Sequence, residues 1–205
     1  MRHLIFGVGG GGVGNYRLFI FFHAIDKLYI FAIIEVRSLI EMFDKDIRMR
    51  ISLEIARDIS SWLIDNVASR DKDAPIAVTI VDPSGVTIIQ EAMDGVKPIS
   101  PELSRKKAWT SIAVKCDTIE LEGLNPMNFA DDNITCFPGG ILIQAVGSRN
   151  QTEIVGAIGV SGRKGKQPEG MKTLQDHELA LLAARELATM VHDDWVKRYN
   201  MHKGE

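Results

Sequence analysis

The feature that most constrains the fold is a pair of glycine-marked apolar segments between residues 137 and 162. The first reads Phe-Pro-Gly-Gly-Ile-Leu-Ile-Gln over 137–144, and the second reads Ile-Val-Gly-Ala-Ile-Gly-Val-Ser-Gly over 154–162. Short β-branched runs joined by a polar, glycine-containing turn are typical of a β-hairpin. Glycine is favoured where the backbone needs a positive φ or where a ligand or another backbone approaches closely. The segment is therefore predicted both to build a sheet and to frame a site.

A second hairpin is predicted closer to the N-terminus. Residues 74–81 and 86–91 are rich in β-branched residues, and Asp82-Pro83-Ser84-Gly85 between them has the residue types of a tight turn. Before it, apolar residues at helical spacing over 52–68 predict a helix, for which Ser52 is a suitable N-cap.

Two further helices follow from capping patterns. Ser100-Pro101-Glu102 has the cap, the first-turn proline and the acidic residue that begin a helix. Residues 173–176 resemble a capping box that opens the last helix, which is expected to run to about Trp195. The element order is helix, two strands, helix, loop, at least two strands and helix. This order predicts an α+β fold, an antiparallel sheet with helices packed on one face as a two-layer sandwich.

Composition and charge exclude several classes of protein. The chain has 205 residues and a net charge of −3, so no strong positive field favours nucleic acid or a membrane surface. Its two cysteines form no CxxC pair, which favours reduced thiols in a cytoplasmic protein and argues against structural zinc. The glycine-rich stretch 7–14 is not followed by the strand and helix pattern of a parallel sheet, which a dinucleotide-binding site needs. The apolar stretch 18–36 is interrupted by Asp26 and Lys27, which argues against a membrane span.

These patterns divide the chain into three parts. Residues 1–50 are interpreted as an atypical extension, either loosely packed or disordered, or an extra helix that packs on the domain or a partner, or an artefact of the gene model. Residues 51–196 form the main domain, and residues 197–205 form a polar tail.

Several short motifs follow one another in a fixed order within the main domain. They are Val81-Asp82-x-x-Gly85, Met93-Asp94-Gly95, Ser100, Lys107-Ala108-x-Thr110, Pro138-Gly139-Gly140, residues 155–162 and Asp176. This ordered set resembles a known family, the GlcG/HbpS-like haem-binding or haem-degrading domain, which includes the C-terminal domain of PduO-type proteins. Two positions depart from the family pattern, since Ala92 stands where the family often has arginine and Ser111 stands where alanine is common.

The resemblance implies a dimeric or octameric protein that binds haem or a related tetrapyrrole, in some relatives for iron or redox sensing. The alternative is an enzyme or accessory protein that acts on a small hydroxy acid, carbonyl compound or pathway intermediate. A third hypothesis is a scaffold whose assembly is its function. The expected partners are a second copy of the chain and a small molecule, without nucleic acid or membrane.

The candidate ligand-binding residues combine this resemblance with side-chain chemistry. Lys107, Thr110 and Ser111 place a cation and two hydroxyls on one helix, which suits a propionate, phosphate or carboxylate, although a surface lysine with helix-tolerated hydroxyls fits equally well. His177 is the candidate haem iron ligand, and the alternative is a solvated first-turn histidine. Residues 163–166 form a basic loop tip, either solvated or bound to an acidic group. The full set of candidate ligand-binding residues is Asp94, Lys107, Thr110, Ser111, Gly139, Gly140, Gly159, Ser161 and Gly162.

Overall fold

The structure is a computed structural model that describes residues 49–70, 74–146, 151–163 and 174–203. The proposed extension over residues 1–50 lies almost wholly outside these ranges, and residues 164–173 lie outside them as well. The division of the chain into three parts therefore stays a prediction.

Within the described ranges, four strands form one antiparallel sheet: β1 (Ala77–Val81), β2 (Thr87–Ala92), β3 (Gly140–Val146) and β4 (Thr152–Ser161). Their order across the sheet is β2-β1-β4-β3, so the first strand of the first hairpin pairs with the second strand of the other. The central strands β1 and β4 are buried along most of their length, and Ala77 pairs with Ser161 where β4 ends.

Three helices pack against this sheet: α1 (Leu53–Trp62), α2 (Ser100–Val114) and α3 (Asp176–Lys203). Side chains alternate between the two faces of a strand, and in β1 this alternation separates two environments. Val78 and Ile80 join the large aliphatic core with α1 and α3, whereas Thr79 hydrogen-bonds to Ser104 of α2. The predicted α+β class and antiparallel sheet are confirmed. The helices cover both faces rather than one, and successive residues of the central strands are accordingly buried on both faces.

Local signals account for the first helix and the first turn. The Ile55 N–H donates a hydrogen bond to the Ser52 hydroxyl over 3.2 Å, so Ser52 is the N-cap of α1. In the hairpin turn, one Asp82 carboxylate oxygen accepts bonds from the N–H groups of Ser84 and Val86 at 2.8 and 3.0 Å. Gly85 follows with a φ of 81°, the left-handed conformation that the turn requires.

The last helix begins differently from the prediction. The Gln175 N–H donates to the Glu178 carboxylate over 2.9 Å, and the Leu179 N–H donates to the Gln175 carbonyl over 3.0 Å. The helix is thus capped from Gln175, two residues after the first residue of the predicted capping box. The Asp176 carboxylate takes no part in this cap and points into the protein. The helix continues to Lys203 rather than ending near Trp195.

The polar segment between α2 and β3 is docked on the sheet and the helix. Asp117 and Thr118 accept hydrogen bonds from the N–H groups of Leu142 and Gly140, both at 2.8 Å, along the outer edge of β3. Trp109 of α2 donates its indole N–H to Asp131 over 2.8 Å. The segment therefore covers the outer side of α2 and one edge of the sheet.

No helix in the described ranges combines the length and the apolar character needed to cross a lipid bilayer.

Candidate functional site

A buried ion pair joins α2 to the first residue of α3. The side chains of Lys107 and Asp176 are 2% and 6% exposed. The Lys107 ammonium donates hydrogen bonds to Asp176 Oδ2 at 2.7 Å and to the Val160 carbonyl at 2.8 Å. The other Asp176 oxygen accepts a bond from the backbone N–H of Arg163 at 2.7 Å. Because buried charges are tolerated only when they are paired and hydrogen-bonded, this cluster fixes α2, β4 and α3 relative to one another.

Glycine lets this cluster form close to the backbone. Gly139 has a φ of 119°, and a Cβ atom there would lie 2.9 Å from the Asp176 Cβ and 3.0 Å from the Lys107 Nζ. A Cβ on Gly159 would lie 2.0 Å from the Ser104 carbonyl oxygen, so only glycine allows α2 to lie this close to β4. The glycine-marked hairpin thus builds the sheet, as its sequence predicted, and it also frames the ion pair.

Arg163, which follows β4, is buried and holds three chain segments together. Its Nε donates to the Ala74 carbonyl at 2.7 Å and its Nη2 to the Ala68 carbonyl at 2.8 Å. Nη1 lies 3.4 Å from the Leu174 carbonyl. The interpretation of the basic segment as a solvated or anion-binding loop tip therefore does not hold for Arg163, which has a structural role.

An open pocket of about 190 Å³ lies beside the ion pair, between the N-terminal end of α2 and the end of β4. Its floor is polar, with the Lys107–Asp176 pair and two serines, while apolar side chains and Lys97 surround it. Such a combination of apolar walls and a few polar groups is typical of a small-molecule site. The lining residues are Lys97, Ile99, Ser100, Leu103, Lys107, Phe137, Ser161, Gly162 and Asp176.

The structure brings some of the candidate residues together here and places others elsewhere. Lys107, Ser161 and Gly162 line the pocket, and Gly139, Gly140 and Gly159 lie behind it at the contact between α2 and the sheet. Asp94 is exposed in the turn after β2. That turn is outside the pocket lining.

Thr110 and Ser111 lie further along α2, outside the pocket. The Thr110 hydroxyl donates to the Lys106 carbonyl at 2.7 Å and accepts a bond from the Thr135 N–H at 3.0 Å, so it anchors the loop to the helix. The Ser111 hydroxyl is buried and has no hydrogen-bond partner in the described part of the chain. Ser111 is also the position at which the family pattern commonly has alanine.

His177 follows Asp176 in the first turn of α3 and is partly buried. Its Nδ1 is buried without a hydrogen-bond partner among the described residues. The side chain is not part of the pocket lining. Within the described ranges, no group of three or more histidine, cysteine or acidic side chains is arranged to hold a metal ion.

Three polar or charged residues of the pocket lining were not among the candidate residues. Asp176 was assigned to a helix cap, but it heads the buried face of α3 that continues through Ala180 and Ala183, and an acidic residue in line with apolar ones signals a buried partner. Ser100 was interpreted as the N-cap of its helix, and no sequence motif includes Lys97. Nothing in the local sequence pattern marks Ser100 or Lys97 as a pocket residue.

Both cysteines are free thiols. Burial is the main cause that raises the pKa of the Cys116 and Cys136 thiols, with Glu120 and Asp117 adding to the effect at Cys116. Neither lines the pocket, and a raised pKa disfavours the reactive thiolate.

Solved structures of other proteins share this fold. They include the Klebsiella pneumoniae protein ORFY (TM-score 0.54, 22% identity), a double mutant of Streptomyces reticuli HbpS (0.53, 24%) and a PduOC–haem complex (0.51, 22%). The matches cover 68%, 68% and 66% of this chain and 92%, 88% and 94% of those chains, respectively. At these identities the likeness establishes the fold.

Comparison at the level of sequence is more specific than the shared fold. The corrinoid adenosyltransferase PduO of Salmonella typhimurium is 30% identical over 96 residues, which are 43% of this chain and 27% of that protein. The chain thus matches about a quarter of that relative's length. A model of the family described as "Haem degrading protein HbpS-like" matches residues 51–185, from just before α1 into α3. With most of its length matched, including every strand and the pocket, this chain belongs to the HbpS-like haem-degrading protein family.

Proposed function

We propose that the chain binds haem or a related tetrapyrrole. The observation that carries this proposal is membership of the HbpS-like family over residues 51–185, to which the haem complex of a structural neighbour adds support. Cytoplasmic haem handling or redox and iron sensing as a homo-oligomer is the physiological role that we propose.

The pocket fits one edge of a tetrapyrrole rather than the whole ring. Its volume of about 190 Å³ is below the roughly 300–1,000 Å³ of pockets that enclose drug-sized ligands. Ile99 and Phe137 at its walls are 61% and 43% exposed, so they offer an apolar surface beyond the cavity. A tetrapyrrole would rest on these side chains and direct its carboxylates toward Lys97 and the serines.

His177 is the residue that we propose as the iron ligand. A neutral imidazole is a common ligand of haem iron, and this side chain adjoins Asp176 of the pocket floor in sequence. Its buried Nδ1 has no hydrogen-bond partner in the described ranges. Bound haem would supply one-electron and oxygen chemistry, while the chain's own residues would orient the ring and hold its carboxylates.

Hemin titration followed in the visible spectrum tests both parts of the proposal. We expect a saturable, stoichiometric Soret shift that is altered or lost in His177→Ala. His192→Ala is the matched control, because His192 is an exposed histidine on the same helix, roughly 20 Å further along at 1.5 Å per residue.

The outcomes separate binding from ligation. A weak, non-saturating shift that is equal in all three proteins would reject haem binding. A saturable shift that is unchanged in His177→Ala would leave haem binding standing and reject the iron ligand.

A small hydroxy acid or carbonyl compound is the second candidate ligand, and the pocket volume favours it. Such a molecule fits within about 190 Å³ without a second surface. It would replace haem as the main proposal if hemin fails to bind specifically.

A further inference from the structure

Two serine hydroxyls at the pocket floor are available to a ligand. Ser100 and Ser161 are 2% and 3% exposed, and both line the pocket. No hydrogen bond of either hydroxyl is found within the described part of the chain, and neither oxygen is among the fully enclosed polar atoms that lack a partner. Both hydroxyls border the same cavity and can therefore donate hydrogen bonds to an acceptor group that enters it.

The charges around the pocket favour an anionic acceptor. Lys97 stands at the wall and forms no ion pair with the residues described. The N-terminal end of α2 begins at Ser100 and carries the partial positive charge of a helix of 15 residues. Asp176, the acidic residue of the lining, is neutralised by Lys107 at 2.7 Å and by the Arg163 N–H. Among the described residues of the lining, an anion entering the pocket therefore meets the positive charge of Lys97 and no unpaired negative charge.

The apolar walls of the pocket indicate the kind of molecule to which the anionic group belongs. Ile99, Leu103 and Phe137 give the pocket an apolar side, which suits a short hydrocarbon stem. The cavity holds only a few non-hydrogen atoms at about 190 Å³. A planar carboxylate on a stem of a few carbons matches both the polar floor and the apolar wall.

We propose that this pocket is a carboxylate-binding site in which Ser100, Ser161 and Lys97 hold the carboxylate and Ile99, Leu103 and Phe137 hold its stem. Two sources of that group fit the chemistry: a propionate arm of a tetrapyrrole, or a free short-chain acid. The first deepens the proposed haem binding and rests on it, while the second stands without it.

Hemin and its dimethyl ester separate the first source from other binding modes. The ester keeps the ring and the iron and loses only the two carboxylates. We expect the ester to bind about tenfold more weakly than hemin, since hydrogen bonds to charged groups contribute strongly. Lys97→Ala and Ser161→Ala should reduce hemin affinity to a similar degree and leave ester affinity unchanged. Lys197→Ala should behave as wild type, because Lys197 is exposed near the far end of α3.

Sodium propionate and neutral propionamide test the second source. In ¹H–¹⁵N NMR spectra of the full chain, propionate is expected to shift the amide signals of Ser100 and Gly162 in a saturable way. Propionamide should not shift them, and the response should weaken in Lys97→Ala and Ser161→Ala but not in Lys197→Ala.

The combined outcomes distinguish the two proposals. If hemin and its ester bind equally and propionate causes no saturable shift, the carboxylate site is rejected while haem binding stands. If hemin fails to bind and propionate titrates the pocket signals, haem binding is rejected and the carboxylate site stands. If propionate shifts residues outside the pocket only, the location that we propose is wrong.

Discussion

The two faces of the sheet are built from different kinds of side chain. The face under α1 and α3 is aliphatic, with isoleucine, valine, leucine and alanine interlocking around Ile80, Ile158 and Leu187. The face under α2 is polar and glycine-rich, with Thr79 bonded to Ser104 at 2.7 Å and Lys107 paired with Asp176. An aliphatic layer supplies burial energy without strict geometry, whereas a polar layer demands that every partner be in place. The pocket lies on the second face, where positions are fixed by directional bonds.

The largest effect is expected from Lys107→Met, which leaves the Asp176 carboxylate buried without its cation. Breaking one partner of a buried pair costs about 3–5 kcal/mol, to be measured as the free energy of unfolding in urea. Adding Asp176→Asn removes the orphan charge and keeps an acceptor for the Arg163 N–H, so the double variant should recover part of the loss.

The control for this pair of substitutions is Leu187→Ala on the aliphatic face. It should cost about 2–5 kcal/mol through the cavity it leaves, and Asp176→Asn should not rescue it. If the effects of Lys107→Met and Asp176→Asn simply add, the two residues are not energetically coupled and the contrast between the faces fails at its main point.

A smaller effect of opposite sign is expected from Ser111→Ala. The Ser111 hydroxyl is fully buried without a partner in the described ranges, and an unsatisfied buried group costs about 1–3 kcal/mol. Removing it should raise the free energy of unfolding by about 1 kcal/mol. Ser104→Ala is the matched control, because that hydroxyl is bonded to Thr79, and it should destabilise the protein. Loss of stability in Ser111→Ala would show that the hydroxyl is satisfied.

The smallest effect is expected from lowering the pH, which should loosen the loop that Asp131 holds on α2. Hydrogen bonds from the Asn133 backbone, then from the Trp109 and Asn133 side chains, lower the pKa of Asp131. The ionised Asp131 carboxylate therefore stabilises the folded protein. This stabilisation is fully present above the pKa of an unfolded aspartate, near 3.9, and is lost as the pH falls through the lower pKa of Asp131 in the folded protein. Trp109 fluorescence in a Trp62→Phe/Trp195→Phe background should therefore change below about pH 4. The transition should disappear in Asp131→Asn, and an identical midpoint in that variant would assign it to another group.

Local sequence signals were sufficient for most of the fold. The Ser52 cap, the Asp82–Gly85 turn and the glycine-marked hairpin each depend on residues close in sequence, and the structure contains all three. Helix placement on both faces was missed because it depends on which strands become central. That is decided by the pairing of β1 with β4, which are distant in the chain.

The sequence singled out some of the residues that line the pocket and not others, for the same reason. Lys107, Ser161 and Gly162 came from ordered motifs, and they line the pocket. Asp176 acts through Lys107, which lies 69 positions away, so its local surroundings resemble those of a helix cap. Side chains that serve a partner far along the chain carry little signal in their own neighbourhood.

The hydrogen bonds of Asp117 and Thr118 to β3 have a consequence for how copies of this chain can associate. Unpaired strand edges invite pairing with a further strand, and proteins commonly block them. At β3 these two side chains already occupy the outward N–H groups of Leu142 and Gly140. Growth of the sheet by backbone pairing is thus blocked at the start of β3, and the other edge strand of the sheet is β2.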